Sequence, residues 1–186
     1  MSDVVNKLIQ ILEDDLRWHQ DLAAVLENKL DAMRHYDLSR LEALSANEQR
    51  LTTAIASNEP KRRAVIREAT NRFSPQRNTP LTARELAGLL LESRPEGADR
   101  VGRRDPEAAE REHAARRLTV LTDMLRDATE KIKRLNNVVA IASNKILGHF
   151  DHIFQIIARS GRDIGLYGRG GKKSLLDQNR LVDALA

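Results

Sequence analysis

The chain has 186 residues, enough for one domain, but aromatics are only 3% against 31% charged residues, so Leu, Ile, Val and Ala must supply the burial and a sheet protein is disfavoured. It contains no cysteine, which excludes disulfides, thiolate metal sites and a cysteine nucleophile. The net charge is +4 but uneven: residues 1–59 hold 6 basic and 11 acidic side chains and residues 60–117 hold 14 and 9, leaving a basic middle around Lys61-Arg62-Arg63 and Arg100 to Arg104.

The first residues, Met1 to Asn6, lack the basic start and apolar run of a signal peptide. No apolar run approaches the roughly 18 residues of a membrane span. A cytosolic, soluble protein is the expectation. The first helix starts near Asp3, with Ser2 or Asp3 able to accept bonds from its unpaired N–H groups. Its seam reads Val5, Leu8, Leu12, Leu22, Leu26, Leu30 and Met33, interrupted by Asp15 and His19. Val4, Ile11, Trp18 and Val25 widen the apolar face, and Trp18 reads as core packing rather than as a contact residue. The helix should end between Arg34 and Tyr36. Asp37 is the candidate cap of a second helix carrying Leu38, Leu41, Leu44, Leu51 and Ile55, although no Gly or Pro enforces the break. Pro60 removes a backbone donor and is expected to kink or restart that helix, which resumes through Val65, Ile66 and Ala69 to about Phe73.

Thr82 and Glu85 have the capping-box spacing, with Leu81 and Leu86 placed for a hydrophobic staple, and open a short helix from Ala83 to Ser93. Residues 94–104, with Pro95, Gly97 and Gly102, read as a mobile basic loop. Asp105-Pro106-Glu107 combines a cap, a proline whose missing N–H costs nothing at a helix start, and an acid at the positive dipole end. A long helix follows. Leu118, Leu121, Leu125, Ala128, Ile132, Leu135, Val139, Ala142, Ile146, His149, Ile153 and Ile156 recur at steps of three and four, which places them on one helix face. Near its end a second stripe runs beside the first: Leu147, Phe150, Phe154 and Ile157. Gly161 is the expected stop. The remainder, 162–186, reads as a flexible tail, Gly-rich at first, then a short amphipathic segment from Ser174 with Leu175, Leu176, Leu181, Val182 and Leu185. The fold class expected is all-α: an elongated antiparallel helical bundle or coiled-coil hairpin over 1–161, because no helix here can bury its stripe alone.

Catalytic signatures are sparse. Glu110 and His113 have the Glu-x-x-His spacing of four-helix di-iron proteins, but no second such pair exists. His149 and His152 stand three apart and could share a metal, yet His149 lies on the apolar seam and reads as a packing histidine. Gly168 to Ser174 invites a phosphate-loop reading that fails on spacing and on the lack of a preceding strand. No cofactor, metal, small-molecule substrate or enzymatic activity is expected. The basic middle could meet nucleic acid, but Phe73 is the lone aromatic near it, so base stacking has little support. Binding another helix is the chemistry the two stripes favour; the alternative is that both stripes are buried in a wider bundle end.

A family resemblance agrees with this. Asp37-Leu38-Ser39-Arg40-Leu41-Glu42-Ala43-Leu44, Asn144-Lys145-Ile146-Leu147 and Gly165-Leu166-Tyr167-Gly168-Arg169-Gly170-Gly171 resemble stretches of the FlgN family of flagellar export chaperones, over about 1–73 and 110–172. The resemblance implies a cytosolic, non-enzymatic chaperone of flagellar type III export. Its partners would be hook-associated (hook–filament junction) proteins, held by their C-terminal amphipathic helices, and the flagellar export gate. It implies client binding by Asn144, Ile146, Leu147, Phe150, Ile153, Phe154 and Ile157, and gate docking by Leu166, Tyr167 and Gly168. The competing expectations are a structural coiled coil that self-associates through the same stripes and a basic nucleic-acid-binding helical protein.

Overall fold

The structure is a computed structural model that describes residues 3–92 and 106–164, with side chains through 159. Among the described residues it is all-α: α1 (Asp3–Arg34), α2 (Leu38–Phe73), α3 (Ala83–Glu92) and α4 (Pro106–Ile164). The chain divides into two compact units, Met1–Ala140 and Ile141–Ala186, the boundary falling within α4.

In the first unit, α1 and α2 form an antiparallel hairpin. The link between them is a helix-ending motif in which the Asp37 N–H donates to the Ala32 carbonyl at 3.0 Å and the Tyr36 N–H to that of Met33 at 3.3 Å. Tyr36 takes the left-handed conformation this motif requires, φ 53°, without being glycine. Asp37 then caps α2 by accepting from the Arg40 N–H at 3.0 Å. The break is therefore real, although the residue that makes it is a tyrosine. Leu38 is well exposed, because it is the first residue of α2 at the tip of the hairpin.

α4 runs parallel to α1. Arg117 pairs with Glu13, and Lys131 with Glu27 at 2.8 Å. The two pairs lie two heptads apart on both helices, so the register is constant along the interface. Two apolar clusters fill the bundle. One joins Val5, Leu8 and Leu12 of α1 to Ala69 of α2, Leu86 and Leu90 of α3, and Ala114 and Leu118 of α4. The other joins Leu22 and Leu26 to Leu51 and Ile132, with Trp18, Ile55 and Leu135 packed against it. Each fully buried Leu contributes about 1.5–3 kcal/mol by leaving water.

α3 is held by the capping box the sequence predicts. The Thr82 N–H donates to Glu85 Oε2 at 2.7 Å, and the Glu85 N–H to Thr82 Oγ1 at 3.1 Å. Leu81 and Leu86 are both buried beside it. The buried Thr70 hydroxyl accepts from the Leu81 N–H and donates to the Ile66 carbonyl, both at 2.8 Å, fastening the end of α2 to the lead-in of α3. Of two expected interruptions, Pro60 does not restart its helix and Gly161 does not stop its own. α2 continues across Pro60, since buried side chains on both sides of it, Asn58 and Ala69, hold the helix in the bundle. α4 passes Gly161 and ends at Ile164; a helical glycine costs about 1 kcal/mol, which long helices tolerate.

Candidate functional site: the distal face of helix α4

The apolar seam of α4 keeps its spacing throughout, but its burial does not last. Leu118 is fully buried, Ile132 nearly so, Leu135, Val139, Ala142 and Ile146 are half-buried, and His149, Ile153 and Ile156 are exposed. The register explains the start of this decline. With Glu27 opposite Lys131, α1 ends at Arg34 opposite Val138, where the hairpin turns. Within the bundle, α1 therefore supplies no further turns to cover the seam.

From Ile141 onward the two stripes lie side by side. At about 100° per residue, Ile146, Ile153 and Ile156 occupy one strip and Leu147, Phe150, Phe154 and Ile157 the adjacent one, together covering about half of the helix circumference. Phe150 is 44% and Phe154 64% exposed, values far outside those of core aromatics. Leu147, Ile153 and Ile157 are exposed as well, and Ile146 is half-buried. Six of the seven residues expected to bind a client therefore share this face. The seventh, Asn144, is exposed about 60° beyond Leu147, at the border with the polar face. His149, expected to pack, is exposed with the rest of the distal seam. Lys145, His149, His152 and Arg159 gather along the opposite border of the apolar face and give it a basic edge. Leu166, Tyr167 and Gly168, the expected gate-docking residues, lie outside the described residues, as do the loop 94–104 and the segment from Ser174.

The remaining expectations concern charge and chemistry. Within Lys61-Arg62-Arg63, Arg62 pairs with Glu59 and stands 3.6 Å from Asp15, and Arg63 pairs with Glu59 at 2.7 Å. Two of these three cations thus face carboxylates of the chain itself. Among the described residues, no three His, Asp or Glu side chains converge to hold a metal ion. Nor is any described helix long and apolar enough to cross a membrane.

Sequence reasoning missed one polar cluster. Asp15, which interrupts the α1 seam, is buried against Asn58 and Arg62 of α2. The signal was a carboxylate on an apolar stripe, but its partners lie more than 40 residues away. His19, the second interruption, is half-buried, and its Nδ1–H donates back to the Asp15 carbonyl at 2.7 Å.

The fold and this face define an all-α bundle protein with an apolar helix surface open to solvent. Residues 1–174 match the family model described as FlgN protein, and the chain belongs to that family of flagellar export chaperones. The match includes the Arg/Gly-rich middle, which the sequence resemblance left out, and stops at Ser174, leaving 175–186 beyond it. Comparison with curated proteins and with solved structures finds no match.

Proposed function

We propose that this chaperone works in the cytosol and uses the distal face of α4 to hold the C-terminal amphipathic helix of a hook-associated junction protein before its export. The observation that carries the reading is the exposure of Phe150, Ile153 and Phe154 on a helix whose seam is buried further upstream. A client helix built for a polymer interface exposes an apolar stripe and would aggregate alone; an apolar helix face covers it reversibly. The stretch Leu166-Tyr167-Gly168 is proposed to dock the loaded chaperone on the export gate, in line with the family membership.

Titration calorimetry with the junction protein's C-terminal helix tests this. Phe150→Glu/Phe154→Glu is expected to weaken client binding at least tenfold while the bundle keeps its thermal stability. Tyr167→Ala should leave client binding intact and reduce export. A chain truncated after Val139 that still binds client as tightly as the full chain refutes the α4 site.

A further inference from the structure

We infer that the helix received by the distal face of α4 carries carboxylates along one edge of its apolar stripe, set to meet Lys145, His152 and Arg159. The inference rests on the proposed client site and adds the charge of what that site accepts.

The heptad pattern of α4 carries the argument. Arg117, Lys131, Lys145 and Arg159 stand 14 residues apart, and the first three directly precede the seam residues Leu118, Ile132 and Ile146. In the first half of α4 this position is answered by another helix of the chain. Arg117 pairs with Glu13 and Lys131 with Glu27, and those carboxylates directly follow Leu12 and Leu26 on the buried stripe of α1. An apolar stripe edged by acids 14 residues apart is thus what this seam already binds. From Ile141 onward the same position holds Lys145, His152 and Arg159, at seven-residue steps and all exposed. Among the described residues no carboxylate pairs with Lys145 or Arg159. The three span about 21 Å along the helix, beside the apolar strip of Ile146 and Ile153. The cationic edge therefore recurs on the exposed face without the acidic helix that completes it upstream.

A second copy of the chain does not supply that helix. Between 141 and 159 Asp151 is the sole carboxylate, so two distal faces packed together would set cations against cations. Exposed ion pairs add little affinity each. The apolar stripe supplies the binding, and the edge selects which helix enters and in which register.

Two synthetic three-heptad peptides test this. They share one leucine stripe and differ only at the edge positions seven residues apart, glutamate in one and lysine in the other. With the full chain at low salt, the glutamate peptide is expected to bind about tenfold more tightly by fluorescence anisotropy. High salt should close the gap. Lys145→Glu/Arg159→Glu should invert the preference and leave the thermal stability of the bundle unchanged. Lys61→Glu/Arg67→Glu, an equal charge change on exposed residues of α2, should leave the preference as it was. A preference that survives Lys145→Glu/Arg159→Glu overturns the inference, since net charge then causes it. No binding of either peptide overturns it as well, and titration with the junction protein's helix then judges the client site separately. Equal affinities that both fall in Phe150→Ala/Phe154→Ala remove the acidic edge and keep the apolar face as a helix site. Binding indifferent to that uncharged change removes the site itself, and the inference with it.

Discussion

Asn58 donates from its amide nitrogen to Asp15 Oδ1 at 2.8 Å, joining two side chains that are 4% and 2% exposed inside the α1–α2 interface. The same amide lies 3.3 Å from the Ile11 carbonyl, and Arg62 approaches the other Asp15 oxygen at 3.6 Å. A buried carboxylate is tolerable only when its oxygens find donors. Here both are supplied from one short stretch of α2. The cluster fixes the register of two helices whose apolar residues alone would accept sliding by a turn.

Removing the pair should cost less than the two single removals added together. Asn58→Leu leaves the carboxylate short of a donor and is expected to destabilise the bundle by about 2–3 kcal/mol. Asp15→Leu combined with Asn58→Leu is expected to cost clearly less than the sum of the two single changes. Urea unfolding of the four proteins checks this. Strict additivity would mean that the two side chains do not interact.

Tyr36 offers the opposite sign. Its φ of 53° places a side chain with a Cβ in the left-handed region at the end of α1, at a cost of about 1–2 kcal/mol. Glycine removes that strain and loses part of the gain to its freer unfolded chain. Tyr36→Gly is expected to raise stability by about 0.5–1 kcal/mol, seen as a higher urea midpoint with an unchanged slope. A lower midpoint would show that the exposed ring contributes packing.

These two residues also mark what the sequence could and could not reveal. The α4 seam, the α3 capping box and the pairing of α1, α2 and α4 were legible because they rest on local spacing, and local spacing is what a helix converts into a face. Asp15 was visible only as an interruption, since the meaning of a buried carboxylate depends on Asn58, a long way along the chain. Tyr36 was silent because a left-handed cap is usually announced by glycine. Gly161 gave a false stop and Pro60 did not restart its helix, for helix length and tertiary packing outweigh a penalty of one residue. The distal stripe was readable as apolar, but periodicity cannot distinguish a buried stripe from an exposed one. That difference is carried by the exposure of the residues themselves.

The capping box makes one pH dependence specific. The Thr82 N–H, the Arg77 guanidinium and the Thr82 hydroxyl hold the Glu85 carboxyl down to about 2, well below its ordinary 4.5. A depressed carboxylate binds fewer protons folded than unfolded, so its contribution is complete above about pH 4.5 and fades as pH falls towards 2. Titration of the Glu85 side-chain carbon by NMR should give a midpoint near 2. In Glu85→Gln, stability should fall less steeply with acidification between pH 4.5 and 2. An ordinary midpoint for Glu85 would show that the box is open in solution.

The sharpest division lies along α4 itself. Leu118 and Phe154 sit on one continuous helix, one fully buried and the other 64% exposed. Leu118→Ala removes side-chain volume from a cluster shared by all four helices and is expected to cost about 2–5 kcal/mol, through lost transfer energy plus the cavity left behind. Phe154→Ala leaves no such cavity, and its effect on global unfolding is expected to stay within about 0.5 kcal/mol. Client affinity should respond in the reverse order. Phe154→Ala weakens it severalfold, and Leu118→Ala leaves it unchanged at temperatures where the bundle remains folded. Calorimetric unfolding and client titration on the same two proteins check both halves. If Phe154→Ala destabilised the bundle as much as Leu118→Ala, the distal face of α4 would be part of the core and not a binding surface.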